Sequence, residues 1–248
     1  MRDTGVAQRS DWGLSRSEFA AAVSAGRLLR IAQGWYATPQ ADPDTVRALR
    51  LGGRLCCLSA LPAEMWVPRD GRLHIAVRKS DPAPAVSGVT VHRLRSEGWG
   101  SSEAALPLET NLHLALRHHS VEVGLTVVET AVEQGLLTPM AAARLVEGQT
   151  SRRYLSGLRH FDPRSGSGSE TRVRLWFQRR NVPIRSQVQI VGVGRVDLLV
   201  GESLVIEVDS AAFHTGRERY EEDRRRDLAL TALGFQVVRL AYAQVFTS

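Results

Sequence analysis

The period-two alternation of apolar and polar residues is clearest near the C-terminus. Val196, Leu198 and Val200 alternate with Arg195, Asp197 and Leu199. Then Leu204, Ile206 and Val208 alternate with Val205, Glu207 and Asp209. Side chains two apart share a face, so each run predicts a strand with one wholly apolar side. Both sides face one core if Val200 pairs with Leu204, Leu198 with Ile206 and Val196 with Val208 around the Gly201-Glu202-Ser203 loop. Around this pair the pattern predicts a helix over Glu170–Asn181, a strand over Ile184–Val191, a long charged helix over Arg217–Leu233 and a strand over Phe235–Ala241. The order is αβββαβ.

Upstream, Ser15-Arg16-Ser17-Glu18 forms a capping box before Phe19, Ala22 and Val23, in a helix stopping near Gly26. Strands at Leu28–Ile31 and Trp35–Thr38 follow, joined by Ala32-Gln33-Gly34. A helix followed by a hairpin is the end of a winged helix, here cut short because few residues precede Ser15. Helical periodicity marks Asp44–Leu51, Leu112–His118, Val121–Leu137 and Pro139–Glu147. Strands are expected at Leu73–Val77 and Val89–Leu94, with the proline-containing Asp81–Gly88 as the loop between them. The polar run Asp162–Ser169 reads as a flexible linker ending in a helix start. The predicted protein is thus α/β (α+β), with a winged-helix segment over 1–40, a mixed α/β middle domain over 41–160 and a third domain over 165–248.

Composition adds a partner class. At 43% hydrophobic and 23% charged residues, the chain has the make-up of an ordinary globular protein. No apolar run approaches the roughly 20 residues that span a bilayer, and no secretory pattern opens the chain, so the expectation is a cytoplasmic protein without a membrane partner. Cys56 and Cys57 are adjacent, without histidine at ligand spacing along the chain, and read as small buried hydrophobes in a reducing compartment. The net charge is +6 and Lys79 is the only lysine. Arginine grips phosphate by two points, which favours an anionic polymer; a coding bias toward arginine gives the same composition.

The register above places Asp197 directly opposite Glu207, with Cβ atoms about 4.5–5.5 Å apart, and Asp209 one pleat further on the same face. Arg195 neutralises one of the three at most. Like charges so close are costly unless a cation enters. Hard oxygen ligands suit Mg²⁺ or Mn²⁺, which activates water and neutralises charge on a scissile phosphate. An isolated pair of acids on a strand face is equally a solvated surface.

The runs Arg195–Val200 and Leu204–Asp209 resemble the PD-(D/E)XK core of restriction-endonuclease-like proteins. Glu207-Val208-Asp209-Ser210-Ala211-Ala212-Phe213-His214, then Asp223-Arg224-Arg225-Arg226-Asp227-Leu228 and Gly234-Phe235-Gln236-Val237-Val238-Arg239, are similar to a bacterial family of unknown function related to very-short-patch repair endonucleases. The resemblance implies that Asp197 and Glu207 bind metal, that Asp209 assists, and that Glu170 is the acid on the preceding helix. It further implies that His214 orients or protonates near the scissile phosphate and that Arg226 contacts it. Glu170 also closes a capping box with Ser167, and Arg226 can pair with Glu222 a turn earlier. Two departures stand out. Asp209 occupies the place of the expected lysine, and Ser210 that of a usual glycine.

Gly26-Arg27-Leu28-Leu29-Arg30-Ile31-Ala32-Gln33-Gly34-Trp35-Tyr36-Ala37 is similar to the signature of AbiEi-type antitoxin domains, which implies a winged helix followed by a mixed α/β domain. DNA contacts then fall to Arg16, Arg27 and Arg30. Together the resemblances imply a metal-dependent DNA endonuclease or nickase. The alternative is a non-catalytic DNA-binding regulator of the type IV antitoxin kind with a degenerate nuclease domain. A homodimer, or an interaction module partnered within a defence or toxin-antitoxin system, also fits.

Overall fold

The computed structural model describes residues 4–95, 103–149, 159–209 and 217–246. These residues form a mixed α/β protein with three sheets. They divide into two compact units, Met1–His118 and His119–Ser248. Among them no helix is long and apolar enough to cross a membrane.

The first unit opens with β1 (Val6–Gln8), a 3-10 turn (Arg9–Trp12) and α1 (Arg16–Ser24). The expected capping box is made: Glu18 N donates to Ser15 Oγ at 3.3 Å, and Ser15 N to the Glu18 carboxylate at 2.9 Å. The helix ends where Gly26 turns to φ +71°, a conformation open to glycine. Strands β2 (Leu29–Ala32) and β3 (Trp35–Ala37) form the hairpin, with Ala32 inside the ladder rather than in the loop. β1, for which the sequence pattern predicts no strand, adds to the free edge of β3, giving the order β1-β3-β2. Phe19, Ala22 and Leu28 bury against Trp12, Val23 and Tyr36.

After α2 (Pro43–Arg50), capped by Asp42, come β4 (Arg54–Leu55), β5 (Leu73–Arg78) and β6 (Val89–Leu94). β5 and β6 are joined by the expected loop but run parallel, so the loop carries the chain back along the strand without a crossover helix. Ile75, Val77 and Val89 pack with Ala48, Leu55 and Leu73 on one face of this sheet. A 3-10 turn (Cys57–Ala60) and α3 (Leu108–His118) complete the unit.

The second unit begins with α4 (Val121–Glu133) and α5 (Pro139–Glu147), N-capped by Ser120 and Thr138. The division at His118 places both helices with the C-terminal residues. A buried ion pair holds α4 to the next long helix. Arg174 of α6 (Gly168–Gln178) meets Glu129 of α4 at 2.6 Å, both side chains 1% exposed. Asp162–Ser169 is not a loose linker: Asp162 N donates to Glu129 at 2.8 Å, and Ser165 is buried with its hydroxyl 2.9 Å from that of Thr171.

The expected αβββαβ order follows: α6, β7 (Ile184–Ile190), β8 (Gly194–Val200), β9 (Leu204–Asp209), α7 (Arg217–Ala232) and β10 (Gln236–Ala241), then a short α8 (Tyr242–Phe246). The sheet order is β10-β9-β8-β7, antiparallel except for the parallel β9–β10 pair that α7 bridges. Leu198, Val200, Ile206 and Val208 bury against Val173 and Val245 on one face. Leu199 and Val205 bury against Ile190 and Leu230 on the other. Both faces of the central strands are thus covered, where the alternation predicts one. Val196 also departs from expectation: it packs with Leu199 and Val205 instead of joining Leu198 and Val200.

Candidate functional site

The displacement of Val196 begins one residue further along, at Asp197. The β8–β9 ladder runs as expected through Val200–Leu204 and Leu198–Ile206 and stops there. The expected Val196–Val208 pair is absent, and Asp197 does not sit in a ladder position opposite Glu207. Instead the Asp197 carboxylate takes the place of a backbone acceptor, receiving Val208 N at 2.9 Å. The strands open at this point, and the Asp197 carboxyl still lies close enough to Glu207 to raise its hold on a proton. The juxtaposition read from the sequence is present, built by a splayed ladder rather than a regular one.

On the other side of β8 the β7 ladder pairs Ser186 with Leu198 and Val188 with Val196, leaving Gln187 beside Asp197. Gln187 has φ +52°, strained for a residue with a Cβ by about 1–3 kcal/mol. That backbone turns its amide into the site: Nε2 donates to Glu170 at 2.8 Å and to Asp197 at 3.5 Å. Glu170 rides on the first turn of α6, where Ser167 caps the helix by accepting Glu170 N. The return bond of the expected capping box is not made. The Glu170 carboxylate instead accepts Gly166 N at 2.9 Å, which leaves it facing Gln187. A Cβ at Gly166 would come 2.9 Å from that carboxylate and 3.0 Å from Gln187 Nε2, so a larger residue here would push those two side chains aside.

Three carboxyl groups share little water. Glu170 is 5% exposed. Burial, then the charge of Asp197, raises the Glu170 carboxyl to about 7. The same two causes raise Glu207 to about 7, against the pull of Arg226 and Arg239. Arg226 Nη2 lies 3.3 Å from Glu207 Oε1, the candidate metal ligand, and donates to the Arg195 carbonyl at 2.8 Å; the Glu222 side chain lies outside what is described. The Arg226 Nε is buried without a partner among the described residues.

A stability consequence has a definite sign. Both glutamates hold protons more tightly folded than unfolded, so their contribution is greatest below the ordinary 4.5 and is lost as pH rises through about 7. In metal-free protein, Glu207→Gln is expected to gain melting temperature over the parent progressively from about pH 5 to about pH 7.5. A difference that stays flat across that range, measured by calorimetry, would show that neither burial nor Asp197 raises the Glu207 carboxyl.

The structure therefore brings together Asp197, Glu207, Glu170 and Arg226. Asp209 ends β9, paired with Ala241, and its side chain lies outside what is described. His214 lies outside the described residues. Arg16, Arg27 and Arg30 are exposed but not gathered: Arg16 starts α1 and Arg27 follows its end, roughly 13 Å away by helix rise.

No family model matches the chain. No curated protein matches it either. Among solved structures, the crystal structure of the RV2827C protein from Mycobacterium tuberculosis aligns over 69% of this chain and 75% of that one, at 17% identity and a TM-score of 0.32. At that level of likeness nothing about function transfers.

Oxygen donors from Asp197 and Glu207, whose mutual repulsion a cation would relieve, suit a hard divalent ion. Glu170 does not join them in one tight three-ligand cluster. Such clusters occur instead in the first unit, where Cys57, His74 and His92 bring ligand atoms within 4.8 Å of one another. Cys56 and Cys57 are buried as expected, and the histidines near Cys57 arrive from two strands, where spacing along the chain gives no sign of them. Gln187 also escaped the sequence reading: one glutamine in a strand carries no signal until its register with Asp197 is known. For His74 and His92, the available signal is that both alternate with core residues on neighbouring strands.

Proposed function

We propose that the second unit is a divalent-metal-dependent nuclease of the PD-(D/E)XK kind, hydrolysing phosphodiester bonds in DNA as an endonuclease or nickase in the cytoplasm. The observation that carries the reading is the meeting of Asp197 and Glu207 where β8 and β9 part, with buried Glu170 behind them. Asp197 and Glu207 would hold Mg²⁺ or Mn²⁺. When bound, the ion supplies an activated water and neutralises charge on the phosphate. Gln187 fixes the Asp197 and Glu170 carboxylates relative to one another. Glu170 titrates near neutrality, so it takes up or returns a proton at working pH. Arg226 borders Glu207 and offers its guanidinium to the phosphate. Asp209 and His214 are assigned supporting roles by the family resemblance alone, and Arg16, Arg27 and Arg30 are proposed to hold the DNA.

A second reading is favoured by one contact. The Arg226–Glu207 pair neutralises an acid without an ion, as suits a degenerate nuclease domain in a DNA-binding regulator of the antitoxin type. Incubation with supercoiled plasmid, mismatched duplex and single strands separates the two. The nuclease produces nicked or linear product with Mg²⁺ or Mn²⁺ and none with EDTA. DNA that is retarded on gels but left intact under every condition supports the regulator.

A further inference from the structure

The first unit carries a buried cluster that the nuclease reading does not use. His74 on β5 and His92 on β6 alternate with Ile75, Val77 and Val89, so they occupy the face opposite that core. They are 1% and 4% exposed, with His74 Nδ1 3.0 Å from His92 Nε2. Cys57 opens the 3-10 turn beside them and is fully buried. We propose that Cys57, His74 and His92 form a zinc-type transition-metal site, with Cys57 Sγ, His74 Nδ1 and His92 Nε2 as ligands and Asp70 as the outer partner of His74.

The argument starts with the hydrogen-bond roles. His74 Nε2 lies 2.9 Å from Asp70 Oδ2. An ionised carboxylate only accepts, so Nε2 carries the proton and Nδ1 presents its lone pair to His92 and Cys57. Metal-binding histidines are oriented in this way, by a carboxylate on the nitrogen that does not ligate. Distances agree as well. A tetrahedral ion with bonds of about 2.0–2.1 Å to nitrogen separates two such atoms by roughly 3.3 Å. The present 3.0 Å needs an adjustment of a few tenths of an ångström.

The cysteine is held for this position. Cys57 has φ +51°, a conformation that costs a non-glycine residue about 1–3 kcal/mol and persists only where the surroundings fix it. Here they do: Cys57 N donates to Asn111 Oδ1 at 2.8 Å, and buried Asn111 donates to the Leu106 carbonyl at 2.7 Å. A cavity of about 420 Å³ is lined by Leu58, Ser59 and Asp70, the chain neighbour of Cys57 and two hydrogen-bond partners of His74. The donor set names the ion class. Thiolate with two imidazoles suits Zn²⁺ and not Mg²⁺ or Mn²⁺, so the site is chemically distinct from the carboxylates of the second unit. On binding, the Cys57 thiol loses its proton to solvent as the metal–sulfur bond forms. His92 moves its proton from Nε2 to Nδ1 with no net release.

Titration of the metal-free full chain with Co²⁺ tests this directly. One equivalent should give the near-ultraviolet thiolate-to-cobalt band together with the intense visible bands of a four-coordinate ion, and one equivalent of Zn²⁺ should erase both. Cys57→Ser should lose the ultraviolet band. Asp70→Asn should keep it while weakening affinity by about 10–100-fold. Glu207→Gln should leave the spectrum unchanged, because the carboxylate site plays no part in it. The proposal is overturned if the parent protein gives no thiolate band at one equivalent, or if the band survives in Cys57→Ser.

Discussion

Asp197→Asn and Glu207→Gln will each abolish divalent-dependent DNA cleavage while leaving the fold and DNA binding intact. Each removes one charged oxygen ligand from the point where the strands part. Metal stabilisation of the transition state is worth several kcal/mol, so the rate should fall by about 10³-fold or more. Unfolding is not expected to explain the loss. The asparagine keeps an oxygen for Val208 N, and losing the charge of Asp197 relieves the repulsion that raises Glu170 and Glu207. Glu207→Gln keeps the volume, and Arg226 retains its bond to the Arg195 carbonyl. Both variants should therefore melt at or above the parental midpoint in EDTA and shift DNA at parental concentrations. Plasmid nicking followed over time, beside a melting curve, decides it. If both variants cut at the parental rate with Mg²⁺, these acids do not hold the ion.

What the sequence made legible follows the range of its signals. Capping and periodicity are local, and Ser15 to Glu18, Pro139 to Glu147 and the three-residue turn at Gly201 folded as read. The pairing of Val200 with Leu204 and Leu198 with Ile206 followed from alternation across that turn. Beyond Ile206, alternation alone predicts that the ladder continues. It does not, because the Asp197 side chain competes with the backbone for Val208 N. The acids meet all the same, since the opened strands keep both side chains on the gap between them. Polar side chains that need a distant partner were illegible: Gln187 depends on register, His74 and His92 on parallel pairing across a loop, and Glu129 on Arg174, far along the chain. A serine- and glycine-rich stretch reads as a linker until a buried carboxylate claims its backbone.

That buried carboxylate yields the other large effect. Arg174→Met should lower the melting midpoint by on the order of 10 °C, from a loss of about 3–5 kcal/mol. Arg174 Nη2 bonds both oxygens of Glu129, at 2.6 and 2.7 Å, and Nη1 reaches the His160 carbonyl and, at 3.1 Å, Gln178. Glu129 in turn receives Asp162 N at 2.8 Å and the Thr171 hydroxyl at 2.6 Å. Burial pushes the Glu129 carboxyl above its ordinary range, against the opposing pull of Arg174. Without the arginine, the acid must be buried unpaired or take a proton. The cost therefore lies in the stranded charge, and the double variant Glu129→Leu/Arg174→Met should melt higher than Arg174→Met alone. Thr171 follows Glu170 directly, so the same anchor sets the position of α6 relative to the acids. Arg174→Met should then slow cleavage even at temperatures where it remains folded. A midpoint within about 2 °C of the parent, or a double variant less stable than the single, would show that the pair does not anchor this helix.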